Sequence, residues 1–274
     1  MKTVRLDNIE IGNACPLLLI AGCCVIENEK QVFHTASYLK KVSRELGLPF
    51  IFKCSFDKAN RTSLRSYRGP GIEDGLKLLK EIKKKLDLPL LIDVHCTDEI
   101  EKTAEVADIL QIPAFLSRQT DLIVEAAKTG KIINIKKGQF LAPDDVLHII
   151  EKIESAGNRK ILLTERGTSF GYHNLIVDMR GIEIMKKSGY PVIFDATHSA
   201  QLPGGAGGKT SGRKEFIPAL LRAAAALGIA GIFLETHSRP EKALSDGANM
   251  IALSEIKKSL LLPLKIDRLM KKQA

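Results

Sequence analysis

The chain has 274 residues, of which 45% are hydrophobic and 27% are charged, a composition typical of a folded globular protein and not of a disordered one. Its net charge of +9 comes without any Trp and without basic runs interleaved with aromatic residues, so we expect no nucleic-acid partner. No apolar stretch approaches the roughly 18 residues that a membrane span needs, and the N-terminus has no apolar signal segment. We therefore expect a cytoplasmic protein with no membrane association. The odd number of cysteines, 5, argues against a disulfide framework.

Eight short apolar, β-branched runs recur along the chain, and each is followed by an amphipathic segment. The runs are Leu17–Ala21, Phe50–Cys54, Leu90–Val94, Ile109–Ile112, Ile132–Ile135, Ile161–Leu163, Val192–Phe194 and Gly231–Leu234. The segments with helical periodicity are Lys30–Leu46, Ile72–Leu86, Thr97–Val106, Asp121–Ala127, Asp144–Ser155, Gly181–Lys187, Lys214–Leu227 and a last one that starts near Leu253. Uninterrupted apolar runs are typical of parallel strands that are covered on both faces.

Eight strand–helix units in about 250 residues predict an α/β fold, a (β/α)8 TIM barrel, with a doubly wound open sheet as the alternative. The even spacing of the units, without a break in composition, favours the closed barrel. The segment Thr3–Gly12 alternates apolar and polar residues around Asp7-Asn8 and predicts a hairpin, within an N-terminal segment 1–15, that caps the bottom of the barrel. Because no linker divides the chain, we expect one domain over residues 1–274.

Polar side chains stand at the C-terminal end of every predicted strand, where barrels of this class carry their active sites. These residues are Cys24, Lys53, Asp93 with His95, Gln111, Lys136, Arg166, His198 and Glu235. One such group alone is usually just solvated, but a set that converges on one barrel mouth indicates a functional site.

Three of these strand ends are cationic. Lys53, Lys136 and Arg166 end the second, fifth and sixth predicted strands. Arg can bind a phosphate or carboxylate through two parallel hydrogen bonds, and Lys offers a point charge to either group. We therefore expect a substrate that carries both phosphate and carboxylate. In the alternative interpretation, Lys136 and Lys137 are merely a pair on the surface.

Two loops add to this site. Residues Ser55–Ser63 include hydroxyls, amides, Lys58 and Arg61, which favours a second anion-binding element, although the same residues also suit a simple helix cap. The loop Gln201–Arg213 contains Gly-Gly-Lys-Thr, but Pro203 stands where a P-loop requires its first glycine. We interpret this second loop as a mobile lid over the barrel mouth.

Four further groups are candidate metal ligands. Cys24, His198, Glu235 and Asp246 come from the first, seventh and eighth strands and the loop after the eighth, which are neighbours in a closed barrel. A thiolate, an imidazole and two carboxylates suit a divalent ion such as Zn²⁺, Fe²⁺ or Mn²⁺. Because no CxxC or HxxxH spacing supports a metal site, the pattern alone leaves this interpretation open. Cys23 should point to the opposite side of the strand from Cys24.

Six strings of residues, distributed between positions 17 and 250, carry a specific resemblance. They are Phe52–Ser63, Gln111–Asp121, Asn134–Pro143, Leu163–Tyr172, Asp195–Gly205, and Leu234–His237 with Ala243–Asp246. In these strings the chain resembles the 3-deoxy-D-manno-octulosonate 8-phosphate synthase (KDO-8-phosphate synthase) family. The resemblance implies a (β/α)8 barrel, assembled as a homotetramer. It also implies an aldol-type condensation of phosphoenolpyruvate with D-arabinose 5-phosphate and water, with release of phosphate, in lipopolysaccharide biosynthesis.

The resemblance also implies roles for individual residues. It places the phosphate and carboxylate of phosphoenolpyruvate on Lys136, Arg166, Lys53, Ser55, Lys58 and Gln111. Asn60 would face the aldose, and Arg61 with Thr62 would hold the aldose phosphate and reach into a neighbouring subunit's site. The candidate catalytic residues are Lys53, Asn60, Asp93, His198 and Asp246.

The first strand end separates two types within the family. Metal-free members have Asn at this position and metal-dependent members have Cys, so Cys24 implies the metal-dependent type. His198, Glu235 and Asp246 match the other three ligands of the divalent ion. Two departures stand out: Cys23 replaces a usual Pro, and Thr62 replaces a usual Ser while keeping the hydroxyl.

Two alternatives remain. A sister barrel enzyme makes 3-deoxy-D-arabino-heptulosonate 7-phosphate from erythrose 4-phosphate, and its loop after the second strand typically reads Lys-Pro-Arg-Thr. Here the loop reads Lys58-Ala-Asn-Arg61, which favours arabinose 5-phosphate. A non-catalytic anion-binding barrel is the second alternative, which any release of phosphate from phosphoenolpyruvate would exclude.

Overall fold

The computed structural model describes residues 1–61, 63–205 and 211–272, and its centre is a closed parallel β-barrel. The barrel strands are β1 (Leu18–Gly22), β2 (Phe50–Lys53), β3 (Leu90–Asp93), β4 (Ile109–Ile112), β5 (Ile132–Lys136), β6 (Ile161–Glu165), β7 (Val192–Asp195) and β8 (Gly231–His237). Gly231 of β8 is in register with both Leu18 of β1 and Ile193 of β7, which closes the cylinder. The predicted (β/α)8 barrel is confirmed, and the open-sheet alternative is wrong.

A helix follows each strand. The helices are α1 (Glu29–Leu46), α2 (Ile72–Leu86), α3 (Ile100–Val106), α4 (Thr120–Lys128), α5 (Val146–Ser155), α6 (Met179–Lys186), α7 (Ile217–Ala226) and α8 (Ile256–Lys272). Four of the predicted helices begin instead with a 3₁₀ turn, at Thr97–Glu99, Pro143–Asp145, Lys214–Phe216 and Leu253–Glu255. Such turns are frequent at helix N-termini, and hydrophobic periodicity cannot separate them from the helix that they open. None of the described helices is both long and apolar enough to cross a membrane.

The core has two layers because side chains on a strand alternate between its faces. The outer layer fills the space between strands and helices, and includes Leu19 and Ala21 of β1. The inner layer fills the barrel itself with residues Leu18, Ile20, Ile51, Leu91, Ile109, Ile132, Leu162, Ile193 and Phe233. The barrel is therefore packed solid below its mouth, so that chemistry is confined to the C-terminal end of the strands.

The N-terminal hairpin closes the other end of the barrel. Its strands Val4–Leu6 and Ile9–Ile11 pair antiparallel around Asp7, which adopts a left-handed backbone conformation with φ of 50°. Val4 and Ile11 are buried and belong to the inner core layer. The prediction of a bottom-capping hairpin is thus confirmed.

Short elements surround the mouth. Residues Thr168–Ser169 and Leu175–Ile176 form a small hairpin after β6 that the sequence did not predict. Ile251–Ala252 pairs with the end of β8, which extends that strand to His237, beyond its predicted end at Leu234. Part of the predicted lid, residues 206–210, lies outside the described residues, and its mobility stays a prediction.

We expect the substitution Ile11→Ala to lower the free energy of unfolding by about 2–5 kcal/mol, because it opens a cavity in the inner core layer. Glu10→Ala, in the same hairpin but exposed, should change it by less than about 0.5 kcal/mol. Denaturant unfolding of both variants measures the difference. Equal effects of the two substitutions would contradict the view that the hairpin is a structural plug.

Candidate active site

A cavity of about 900 Å³ opens at the C-terminal mouth of the barrel. Predicted site residues that line it are Lys53, Lys58, Asn60, Arg61, Asp93, Gln111, Lys136, Arg166, His198, Glu235 and Asp246. Cys24 and Ser55 are buried and contact residues of this lining. Thr62 lies outside the described residues. The strand-end prediction therefore located the cavity, although not every residue of the predicted set lies on its wall.

Lys53 is 1% exposed and lines the cavity. Its Nζ donates to Glu235 Oε1 at 2.6 Å and to the Cys24 carbonyl at 3.1 Å, and it lies 3.6 Å from Asp93 Oδ2. Burial alone would lower the pKa of Lys53, but the two carboxylates outweigh it and raise that pKa well above its ordinary value. Lys53 is therefore a permanent cation that is already matched by carboxylates.

Two adjoining strands come unusually close at this point. A Cβ on Gly22, the last residue of β1, would lie 1.9 Å from the Lys53 carbonyl oxygen. A glycine is therefore required there if Lys53 is to donate to the carbonyls that follow β1.

Asp93 begins a chain of hydrogen bonds that runs across four neighbouring strands. Its Oδ1 accepts from Gln111 at 2.5 Å, and its Oδ2 accepts from Ser55. The Gln111 side-chain oxygen then accepts from Asn134 at 2.7 Å, and Asn134 accepts from Thr164 at 2.7 Å. Burial alone raises the pKa of Asp93, but Lys53 and Lys58 hold it well below the ordinary value. This series of hydrogen bonds gives each of the buried polar groups a partner and fixes the orientation of Gln111.

A second buried ion pair lies on the opposite wall. Lys136 Nζ donates to Asp195 Oδ2, and it lies 3.6 Å from the centre of the Phe233 ring. His198 Nδ1 contacts the same carboxylate oxygen at 2.6 Å. Burial lowers the pKa of Lys136, which Asp195 opposes. Asp195 therefore fixes both the ammonium group and the imidazole ring, and leaves Nε2 of His198 for another partner.

Arg166 connects this wall to the loop after β8. Its Nη2 donates to the Gln201 side-chain oxygen at 2.5 Å, and Gln201 Nε2 donates to Asp246 Oδ1 at 3.3 Å. The Nη1 group of Arg166 is buried and finds no partner among the described residues. A buried guanidinium donor without a partner is costly, and an anionic ligand in the cavity would satisfy it.

Lys137, next to Lys136, is completely buried, so the two lysines do not form a surface pair. Its Nζ lies behind the cavity wall, 3.1 Å from Thr168 Oγ1 and 3.7 Å from Glu165 Oε1. Glu165 in turn accepts from the Gly167 amide at 2.5 Å. This pair supports the turn that follows Arg166.

The loop after β2 supplies further positive charge. Lys58 Nζ donates to Ser55 Oγ at 3.2 Å and lies 3.7 Å from Asp93 Oδ2. Arg61 donates through Nε to the Tyr67 carbonyl at 2.9 Å, while its Nη2 is buried without a partner in the described part of the chain. Because Arg61 lines the same cavity as Lys136, it reaches the mouth of its own barrel.

Three of the four candidate metal ligands meet beside Lys53. Ligand atoms of Cys24, Glu235 and Asp246 lie within 4.8 Å of one another. Cys24 Sγ donates to Asp246 Oδ2 at 3.2 Å, and burial, with the Glu235 charge, raises the pKa of this thiol well above its ordinary value. His198 is not in this cluster of three, although its Nε2 approaches Glu235 Oε2 to 3.4 Å.

This donor set fits a divalent ion. Glu235 Oε2 is buried and forms no hydrogen bond with any described residue, which is the condition that a bound cation relieves. His198 holds Asp195 through Nδ1, as metal-binding histidines hold a carboxylate through the ring nitrogen that does not bind the metal. Cys23 faces away, with Sγ 3.5 Å from Gln31 Nε2, as the alternation along the strand predicted.

Several residues of the site escaped sequence reasoning. Asp195, Asn134, Thr164 and Gln201 join or orient the predicted residues but were not singled out. Asp195 was within reach of the argument, because it ends β7 as Lys53 ends β2. The other three are uncharged, and their hydrogen bonds cross between strands or loops whose register the sequence does not state.

Comparisons with known proteins agree with this geometry. Residues 2–272 match the model of the DAHP synthetase I family. A "2-dehydro-3-deoxyphosphooctonate aldolase" of Geotalea daltonii is 54% identical over 272 residues, which cover 99% of this chain and 100% of the relative. A protein of the same name from Francisella tularensis subsp. holarctica is 51% identical over 270 residues, 98% of both chains. The chain therefore belongs to the DAHP synthetase I family.

Proposed function

We propose that this chain is an enzyme that condenses phosphoenolpyruvate with D-arabinose 5-phosphate and water, giving 3-deoxy-D-manno-octulosonate 8-phosphate and phosphate. The observation that carries the proposal is the cavity whose wall combines Lys53, Lys136 and Arg166, next to full-length relatives named 2-dehydro-3-deoxyphosphooctonate aldolase. The loop Lys58-Ala-Asn-Arg61 and the names of these relatives do not favour the heptulosonate alternative. The product places the enzyme in lipopolysaccharide biosynthesis.

Phosphoenolpyruvate carries the two anionic groups for which this cavity has donors. Lys53 and Lys136 already face carboxylates, so their charge is largely balanced before any substrate binds. Nη1 of Arg166 has no partner among the described residues, and the ammonium of Lys58, which donates to Ser55 at 3.2 Å, has further N–H groups to offer. We assign the binding of the phosphate and carboxylate first to Arg166 and Lys58. The residues that support them are Lys136, Lys53, Ser55 and Gln111.

The aldose phosphate is assigned to the outer part of the cavity. Asn60 and Arg61 line it there, and Arg61 offers the second unpartnered guanidinium nitrogen. This places the aldehyde end of the sugar toward the strand ends, with the phosphate held by Arg61 and, as the resemblance implies, by Thr62. We also propose a homotetramer, in which Arg61 reaches into the site of a neighbouring subunit.

The reaction forms one carbon–carbon bond and one carbon–oxygen bond to water, whose proton is balanced by protonation of the aldehyde oxygen, and it breaks the carbon–oxygen bond to phosphate. C3 of phosphoenolpyruvate attacks the aldehyde carbon, which leaves positive character at C2, and water adds there. The resulting hemiketal phosphate then collapses by breaking the bond between C2 and the phosphate oxygen. The cationic wall orients phosphoenolpyruvate for this attack, a positioning effect worth several kcal/mol and at most about 10 kcal/mol.

We propose that Cys24, His198, Glu235 and Asp246 hold a divalent ion, Zn²⁺, Fe²⁺ or Mn²⁺. Two observations support this assignment. Glu235 Oε2 has no hydrogen-bond partner among the described residues, and the ligand atoms of Cys24 and Asp246 lie within 4.8 Å of each other. Such an ion would be a Lewis acid, able to polarise the aldehyde oxygen or the attacking water. His198, Asp246, Asp93, Lys53 and Asn60 are the proposed catalytic residues.

We further propose that residues 1–274 act as one domain, in a cytoplasmic homotetramer without nucleic-acid or membrane partners. The match of the family model from residue 2 to residue 272 supports a single unit.

The choice of aldose gives the first test of this function. Catalytic efficiency, kcat/KM, should be higher with arabinose 5-phosphate than with erythrose 4-phosphate, because the Asn60-Arg61 loop suits the longer sugar. Steady-state assays of phosphate release measure both. A preference for the four-carbon sugar would contradict the assignment.

Removal of the Arg61 guanidinium should affect the KM values of the two substrates differently. Arg61→Ala should raise the KM for the aldose phosphate by about 10- to 100-fold, the loss of one or two charge-assisted hydrogen bonds, and change the KM for phosphoenolpyruvate much less. Arg61→Lys, which keeps the charge, should have a KM for the aldose phosphate between those of the wild type and Arg61→Ala. An equal rise for both substrates would place Arg61 outside the aldose subsite.

The metal assignment predicts a contrast between two substitutions of Cys24. Chelator should inactivate the wild-type protein, and added divalent ion should restore it. Cys24→Ala loses the soft ligand and should lose activity by orders of magnitude. Cys24→Asn should keep measurable activity that chelator does not affect, because the amide can hydrogen-bond in place of the ion. Full wild-type activity after verified removal of the metal would refute the role of the ion.

A further inference from the structure

Glu27 joins the two loops that carry Cys24 and Asp246. It follows Cys24 by three residues, between β1 and α1, and its side chain is 12% exposed. Its Oε1 accepts from the Leu244 amide at 2.9 Å, and its Oε2 lies 3.4 Å from His237 Nε2. Leu244 precedes Asp246 by two residues. One carboxylate therefore connects the end of β1 with the end of β8 and with the loop after it.

The backbone on both sides of Glu27 is anchored. The Ile26 amide donates to the Ser55 carbonyl at 3.0 Å, and the Ile26 carbonyl accepts from the Tyr67 hydroxyl at 2.9 Å. On the other side, the Asn28 side chain caps α1 by accepting from the Gln31 amide at 2.9 Å. The backbone from which the Glu27 side chain projects is therefore fixed on both sides.

The loop after β8 needs such support because Asp246 has a left-handed backbone conformation, with φ of 49°. Residues other than glycine keep this conformation only where their surroundings fix it. The Asn249 amide donates to the Asp246 carbonyl at 3.0 Å, which holds the C-terminal side. A Cβ at Gly247 would lie 2.2 Å from the Pro240 carbonyl oxygen, so the loop folds closely on itself. On the N-terminal side Glu27 holds the backbone at Leu244, and the side chain of Ser245 lies 3.0 Å from Cys24 Sγ.

We propose that Glu27 is a positioning residue for the candidate metal centre. By holding the Leu244 amide, it keeps the Asp246 carboxylate turned toward Cys24, where Oδ2 lies 3.2 Å from Sγ. Its effect passes through the backbone of the loop and requires no contact with the ion. The inference rests on the proposed function insofar as the four ligands hold a divalent ion.

Cobalt binding tests this proposal without relying on activity. The protein is stripped of metal with chelator and titrated with Co²⁺, and the cobalt–thiolate absorption band of Cys24 reports ligation. Glu27→Ala should raise the Kd for Co²⁺ by about 10- to 100-fold, the usual cost of losing a group that orients a metal ligand. Glu27→Gln should stay within a few-fold of wild type, because its amide oxygen still accepts from Leu244. Glu29→Ala, exposed in the first turn of α1, is the matched control and should not differ from wild type.

Hydrogen exchange provides a second readout. The amide of Leu244 should exchange slowly in the wild-type and Glu27→Gln proteins and faster in Glu27→Ala. Glu27→Asp keeps the charge but shortens the side chain by one methylene, and it should weaken Co²⁺ binding as well. This variant keeps the test available if Glu27→Ala does not fold.

The outcomes separate this inference from the function on which it rests. If wild type shows no cobalt–thiolate band, the metal centre itself fails, and the positioning role fails with it. If wild type shows the band and both Glu27→Ala and Glu27→Asp bind Co²⁺ with the wild-type Kd, the metal centre stands and the positioning role is overturned. Equal weakening by the Ala and Gln variants would also overturn it, because the hydrogen bond to Leu244 would then not be the cause.

Discussion

The site depends on the pairing of buried charges. An ionised side chain removed from water is strongly destabilising unless an opposite charge or several hydrogen bonds compensate it. Lys53 with Glu235, and Lys136 with Asp195, meet this condition at the mouth of the barrel. Lys53 of β2 and Glu235 of β8 come together only when β8 joins β1, whereas Lys136 of β5 and Asp195 of β7 lie on either side of β6. Closure of the barrel therefore completes the site.

This pairing leaves a defined set of groups for ligands. Within the described part of the chain, one guanidinium nitrogen each of Arg166 and Arg61 has no partner and can donate to an anion, and Glu235 Oε2 has none and can bind a cation. Two anionic substrates and a divalent ion would provide the hydrogen-bond and charge partners that these groups lack. Phe233 of the inner core packs against both lysines, with its ring centre 5.8 Å from Lys53 Nζ and 3.6 Å from Lys136 Nζ. The cavity is thus built for charged ligands of both signs.

Much of this was readable from the sequence because a parallel barrel places the C-terminal ends of its strands together. Apolar runs located the strands, and the polar residue after each run located the cavity, as Lys53, Lys136 and His198 illustrate. The hydrogen-bond partners of these residues were harder to predict from the sequence. Gln201 and Asn134 carry no charge, and their hydrogen bonds cross loops or strands whose register the sequence does not state. Lys137 shows the same limit, because its neighbour Lys136 faces the cavity while Lys137 is buried behind it. Lys136 ends β5, and Lys137, the next residue along the chain, has different surroundings.

We propose that this mouth joins phosphoenolpyruvate to arabinose 5-phosphate and expels phosphate by breaking the bond between carbon and oxygen. A decisive experiment uses phosphoenolpyruvate labelled with ¹⁸O in the oxygen that bridges C2 and phosphorus. With arabinose 5-phosphate present, every released phosphate should carry the label, in equal amount to the eight-carbon product. Unlabelled phosphate, or labelled phosphate released without that product, would contradict it.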